Sequence, residues 1–197
     1  LHFQVKDTGI GIRDEDKEEL SKIGLKWPND VLVKGQGKLA GILCELVHNR
    51  FNFGIVAGIG VNLQDSEGAL HNLPRPASVW SEVFQDNWKA KEACEDIGCE
   101  LFNLVKRLAV DGFTALAGEW YDHCLHKELD TAVIVGLSPK DSDFNEGSVC
   151  FGDKASNVSA TQGLKVGKTV GLGEHGELLL LSGEGQIVTI TIGDVSF

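Results

Sequence analysis

The residues with the most chemical potential stand close together in a stretch otherwise built of strand formers. Lys26-Trp27-Pro28-Asn29-Asp30 comes first. Lys38 and Gly41 follow in Lys38-Leu-Ala-Gly41-Ile-Leu-Cys-Glu45, and Asn62 closes Gly54-Ile-Val-Ala-Gly58-Ile-Gly60-Val-Asn62. An ammonium group is a compact point charge suited to carboxylate or phosphate oxygens. In a site closed to water it stabilises charge that develops during acyl or phosphoryl transfer. An aspartate or asparagine oxygen beside it could help hold a divalent cation while a phosphate ligand supplies the remaining oxygens. The same residues also read as a solvated lysine at a strand start and ordinary turn residues in Pro-Asn-Asp. Spacing alone does not choose between the two.

The elements that must position these side chains are strands. Pro28 holds Trp27 extended and blocks helix. Val31-Leu-Val33 leads into the Lys34-Gly35-Gln36-Gly37 turn, so a meander of three strands is expected over 25–63. Strand 38–48 is apolar at both odd and even positions, which predicts a central strand covered on both faces. In the strand from 53 to 63, alternation sets Gly54, Val56, Gly58, Gly60 and Asn62 on one face, a bare backbone surface open to close approach. Whether Lys38 shares that face depends on register. A hairpin that opposes Asn49 to Asn52 sets Lys38 and Asn62 on opposite faces, whereas a one-residue shift or bulge unites them.

Around these strands lie helical patterns. Residues 13–24 read as an amphipathic helix capped by Asp14 and ended by Gly24. Residues 64–76 read as loop, and Ser78 as the N-cap of a short helix through Phe84. A longer helix is expected over 89–111, with Ala93, Ile97, Leu101, Leu104, Val105 and Leu108 at helical spacing and Gly112 as its stop. A further helix runs from 114 to about 125. Beyond Glu128 the runs 131–137, 148–152, 157–161, 169–172, 177–181 and 186–192 read as short strands of a small antiparallel barrel or sandwich, with a domain boundary near 128–130.

Composition removes several functions. The formal net charge is −11 and the four arginines, Arg13, Arg50, Arg75 and Arg107, are scattered. No nucleic-acid groove is expected, since that needs clustered Lys and Arg. The five cysteines form no C-x-x-C pair, which suits free thiols in a reducing, cytoplasmic compartment, organelles included. The apolar runs are strand-sized, so no membrane span is expected. His123, Cys124 and His126 lie close on one helix, but without a second cluster they read as helix surface and no metal site. The chain contains no methionine and starts at Leu1, so an N-terminally incomplete sequence is expected.

Two resemblances sharpen this reading. Asp7-x-Gly9-x-Gly11-Ile12, within residues 1–12, resembles the ATP-binding glycine box of histidine kinases. A longer one comes from Lys26-Trp27-Pro28-Asn29-Asp30, Lys38-Leu-Ala-Gly41-Ile-Leu with Glu45, and Gly58-Ile-Gly60-Val-Asn62. In order and spacing these three motifs resemble the biotin protein ligase family over residues of about 20–197. That resemblance implies an α+β fold: part of a class II synthetase-like catalytic domain over 1–128, a mixed sheet with helices in which 1–20 are atypical. A small SH3-like β-barrel would follow over 129–197. It implies an enzyme that uses ATP and Mg²⁺ to join biotin, through biotinyl-5′-AMP, to a lysine of the biotin carboxyl carrier domain of a carboxylase. An inactive ligase-like module that binds nucleotide or carrier protein is the alternative.

By the same resemblance Lys38 would be the catalytic lysine on the biotin carboxylate and phosphate, and Gly41 would lie against biotin. Lys26, Trp27, Asn29, Asp30 and Asn62 would line the ATP side, with Asp30 also a Mg²⁺ ligand. The family's Gly-Arg-Gly-Arg-x-x-Gly-Arg loop, expected upstream of Lys26, has no counterpart in this sequence.

Overall fold

Ile23, Gly24, Leu25 and Lys26 alternate apolar and small or polar, a period of two, and they form strand β1 (Ile23–Lys26). The helix expected over 13–24 therefore does not reach Gly24, because Gly24 pairs across to Leu32 and the pairing overrides its weak stop signal. The computed structural model describes residues 21–48, 50, 51, 53–65, 68–135 and 163–197. The Asp14 cap and the glycine box of residues 1–12 lie outside them.

Four strands, one more than the expected meander, make the first sheet in the order β1-β2-β3-β4. They are β1, β2 (Asp30–Val33), β3 (Gly37–His48) and β4 (Phe53–Val61), all antiparallel neighbours. One face carries the core. Leu25, Val31, Val33 and Leu39 are buried there, and the short helix α1 (Trp80–Val83) lays Val83 on Val33 and Leu39, with Ile23, Trp80 and Phe84 around them. The N-cap of α1 is Val79, without a side-chain cap. Ser78, expected in that role, instead donates its hydroxyl to the Gly37 carbonyl and its N–H to the Lys38 carbonyl.

Strand β3 is not covered on both faces along its length. Leu43 and Leu46 are 61% and 67% exposed, and across the hairpin Ile55 and Val56 are 69% and 52% exposed. Short β2 pairs with β3 only as far as Gly41. Among the described residues β4 is the single partner of the strand from Cys44 to His48, so apolar composition on both parities did not bring cover with it.

A helical stretch α2 (Ala90–Asp122) follows, interrupted at Gly112 with φ 75° and ψ 173°. That is the stop expected from sequence, taken by the residue that adopts positive φ without a Cβ clash. Of the six positions at helical spacing, Ala93 is buried, while Leu101, Val105 and Leu108 are exposed. The helix expected from the spacing is present, and most of its apolar positions are not buried.

The chain forms two compact units, Leu1–Gly112 and Phe113–Phe197, so the boundary expected near 128–130 falls inside the second. That unit holds a five-stranded antiparallel sheet in the order β8-β7-β6-β5-β9. Its strands are β5 (Asp130–Val135), β6 (Gly163–Leu172), β7 (Leu178–Leu181), β8 (Ile187–Ile190) and β9 (Asp194–Ser196). Val133, Leu178 and Leu180 are fully buried, and Val195 nearly so. Four of the expected runs match β5 to β8, two lie outside the described residues, and β9, which pairs back onto β5, was not foreseen. Two antiparallel sheets with few helices among the described residues make this an α+β protein.

Candidate functional site

The register of the first sheet aligns one rung across all four strands. Lys26 opposes Asp30, Asp30 opposes Gly41, and Gly41 opposes Gly60. Directly opposed residues share a face, so both charged groups stand on the side where β3 and β4 present bare backbone. The next rung runs Gly24, Leu32, Lys38.

Between these rungs the register of β2 against β3 shifts. Val31 pairs with Ala40 and Leu32 with Lys38, which leaves Leu39 as the extra residue of a β-bulge. Leu39 and Ala40 are consecutive and both buried, as expected where two successive side chains turn to one side. The β3–β4 pairing, Ala40 with Val61 and Gly41 with Gly60, is the register that opposes Asn49 to Asn52. That register alone would separate Lys38 from the glycine face. The bulge at Leu39 restores Lys38 to it.

There the Lys38 ammonium lies 2.6 Å from Asp30 Oδ1, with about half of the lysine side chain exposed and the aspartate largely covered. Both reach over Gly41. A Cβ at Gly41 would stand 2.8 Å from Lys38 Cε and Nζ and 3.5 Å from Asp30 Oδ1. The backbone of Lys38 is fixed on its other edge: its N–H donates to Pro76 O, and its carbonyl accepts from Ser78 N.

Asn62 continues the glycine parity of β4. Its amide nitrogen donates to the carbonyls of Lys38 and Ser78, each at 3.1 Å, which ties the end of β4 to the segment beside Lys38. Asn29 is used in the same way: its Nδ2 donates to Ile42 O at 2.7 Å, and its carbonyl accepts from Ile42 N. Trp27, 5% exposed, is a core side chain in the turn from β1 to β2, and its peptide bond to Pro28 is cis. Of the seven residues singled out from sequence, Lys26, Asp30, Lys38, Gly41 and Asn62 gather on one face. Trp27 and Asn29 build the turn that holds Asp30.

A hollow of about 800 Å³ opens at the end of β4, lined by Val61 to Asp65, Ala69, Leu70 and Asn87 to Ala90. Its polar wall comes from Asn62, Gln64, Asp65, Asn87 and Lys89. Gln64 and Asn87 are hydrogen-bonded to one another, and Asp65 accepts from the N–H groups of Ala69 and Leu70. Apart from Asn62, these residues were not foreseen. They sit in a loop and at a helix entry that no periodicity marks. Among the described residues no group of three or more His, Cys, Asp or Glu could hold a metal ion. His126 is buried, with Nδ1 2.8 Å from Thr169 Oγ1, and His123 Nδ1 donates to Glu119 O.

Residues 4–62 match the model of the Biotin/lipoate A/B protein ligase family. The match begins within the segment that resembles a kinase glycine box, so most of residues 1–12 fall inside the ligase span.

More particularly, the chain is similar to the biotin–[acetyl-CoA-carboxylase] ligase of Mycobacterium tuberculosis, 51% identical over 43 residues, 22% of this chain and 14% of that protein. The apo biotin protein ligase of Aquifex aeolicus matches with a TM-score of 0.63 and 25% identity, over 91% of this chain and 67% of that one. The same enzyme in complex with biotin and ATP gives a TM-score of 0.62 and 25% identity, over 91% and 64%. A mutant of it in complex with biotin matches at 0.63, again 25% identical over 91% and 64%. The chain thus spans about two thirds of the length of these solved relatives. The ligase resemblance carried by the three motifs is borne out.

Proposed function

We propose that this chain is the part of a biotin protein ligase that carries one wall of the adenylation site, and that the whole enzyme joins biotin to a lysine of a carboxylase carrier domain through biotinyl-5′-AMP. The observation that carries the reading is the Lys38–Asp30 pair laid over Gly41 on the glycine face, in a fold similar to a ligase solved with biotin and ATP. In the first step a biotin carboxylate oxygen attacks the α-phosphorus of ATP and pyrophosphate leaves. Two anions must approach, and the Lys38 ammonium lowers the repulsion between them and stabilises the charge that gathers on the phosphoryl oxygens. In the second step the carrier lysine attacks the mixed anhydride and AMP leaves.

Gly41 would lie against biotin, and Lys26, Asn29, Asp30 and Asn62 would line the nucleotide side. Trp27 would act from the core, as the support of that wall. Asp30 would also hold Mg²⁺ together with the nucleotide phosphates, which supply most of its oxygen ligands. The five-stranded sheet of residues 129–197 would be the family's SH3-like barrel, and 1–128 part of its synthetase-like domain. The enzyme would work in the cytoplasm.

Transfer of labelled biotin to a carrier domain in the presence of ATP tests this. Lys38→Ala should lower transfer at least a hundredfold, the scale on which a single charge-stabilising group acts. Transfer that survives Lys38→Ala unchanged would remove the role given to Lys38. The second reading is a ligase-like module that binds without turnover. It predicts calorimetric binding of ATP with no biotinyl-5′-AMP formed.

A further inference from the structure

We propose that Asp30 is a positioning residue for Lys38: in the ligand-free protein it holds the ammonium across the α-carbon of Gly41, and an incoming carboxylate must take the ammonium from it. This rests on the reading of Lys38 as the biotin-carboxylate lysine and adds a competition within the protein. Asp30 enters β2 directly opposite Gly41. The bulge at Leu39 sets Lys38 on the same face, and the two side chains meet 2.6 Å apart above a residue with no side chain. Gly41 thus has two tenants for one space. The Lys38–Asp30 pair fills it when no ligand is bound, and the ligand's carboxylate end claims it otherwise.

An ion pair with one side chain half exposed contributes little and is easily exchanged, so it suits a holding position better than a permanent brace. The pair keeps a long, four-carbon side chain in one arrangement and keeps its charge beside the site. An anion of better geometry can then displace the aspartate.

Two measurements on the full chain separate this proposal from the reading beneath it. Acetylation of individual lysines by a neutral N-hydroxysuccinimide ester, followed by mass spectrometry, reports Lys38 without any ligand. Held against Asp30 above Gly41, the Lys38 nitrogen is shielded on one side from the ester. Lys38 should therefore react roughly two- to fivefold faster in Asp30→Asn than in the wild type, with Lys34 as the internal reference. Gly41→Ala, whose Cβ would stand 2.8 Å from the Lys38 Nζ, should speed it as well and guards against a folding defect peculiar to Asp30→Asn. Calorimetry with biotin is the second measurement. Asp30→Asn should bind it roughly two- to fivefold more tightly once the competing carboxylate is gone.

Unchanged Lys38 acetylation in both variants overturns the proposal. So does weaker biotin binding by Asp30→Asn, which would make Asp30 a direct contact. Faster acetylation together with no biotin binding by any form upholds the Asp30–Lys38 relation and refutes the biotin reading instead.

Discussion

Asn62 works with its amide nitrogen, which serves two backbone carbonyls at once. Both partners are acceptors, so the nitrogen must point at them and the oxygen away. Asn62→Ala leaves the carbonyls of Lys38 and Ser78 short of a donor and should cost about 1–3 kcal/mol. Asn62→Asp is the harsher change although it is nearly isosteric, because a carboxylate oxygen would face two carbonyl oxygens. Urea unfolding should rank wild type above Asn62→Ala above Asn62→Asp, and an aspartate variant as stable as wild type would refute this account of the strand end. In the second unit, burial pushes the Cys124 thiol up to about 11. An unfolded thiol ionises near 8.5–9. Below about pH 8 both states keep the proton and stability is flat; from there to about pH 11 the unfolded chain ionises ahead of the folded one, so stability falls, by about 2 kcal/mol. The Tyr121 hydroxyl is raised too, chiefly by burial, and acts in the same direction above pH 10. Cys124→Ala should therefore flatten the lower part of the alkaline slope and leave the upper part.

The β3–β4 hairpin shows what a strand pattern conveys and what it omits. Its glycine parity was legible, because alternation fixes it, while the sequence left the register open between the Asn49-to-Asn52 pairing and a one-residue shift or bulge. The bulge at Leu39 was not legible, since Lys38-Leu-Ala-Gly41 holds no glycine or proline at the irregular position to mark it. The placement of Lys38 on the glycine face therefore had to wait for the structure. Cover on both faces was inferred from composition and failed beyond Gly41, where β2 ends. The same lesson applies to α2, whose break at Gly112 followed from one residue's backbone freedom while its buried face did not follow from period. A strand ladder with exposed apolar groups on both sides and one neighbour opens at low cost. Amide exchange should accordingly be fastest in the hairpin at Leu43–Val47 and Ile55–Ala57, and at least tenfold slower at Ala40 and Gly41, which have neighbours on both edges. Uniform protection along β3 would mean that the far half is covered in solution.

At the scale of the whole molecule the open matter is where the second unit begins. Strand runs pointed to 128–130, since helical periodicity stops there, yet periodicity says nothing about which sheet a helix serves. The contacts divide the chain at Gly112 instead, and the groups between 113 and 129 show why. The Tyr121 hydroxyl donates to Thr169 O at 3.3 Å, and the Trp120 ring meets the His126 ring edge-on at 6.0 Å. His126 itself is fully buried against Thr169. The chain of hydroxyls there has one consistent direction. Thr131 Oγ1 donates to Leu129 O, so Thr169 donates to Thr131, and His126 Nδ1 donates to Thr169. Removing residues 113–128 strips His126 from this network and exposes two threonines packed at 0% exposure, with the loss of several hydrogen bonds of about 1 kcal/mol each and of the aromatic cover. A domain of this size has only some 5–10 kcal/mol to lose. A fragment of residues 113–197 should therefore melt cooperatively by circular dichroism and show dispersed amide resonances, whereas a fragment of 129–197 should show neither. Cooperative melting of both would place the boundary back near 128–130 and make the helix before it an accessory of the sheet.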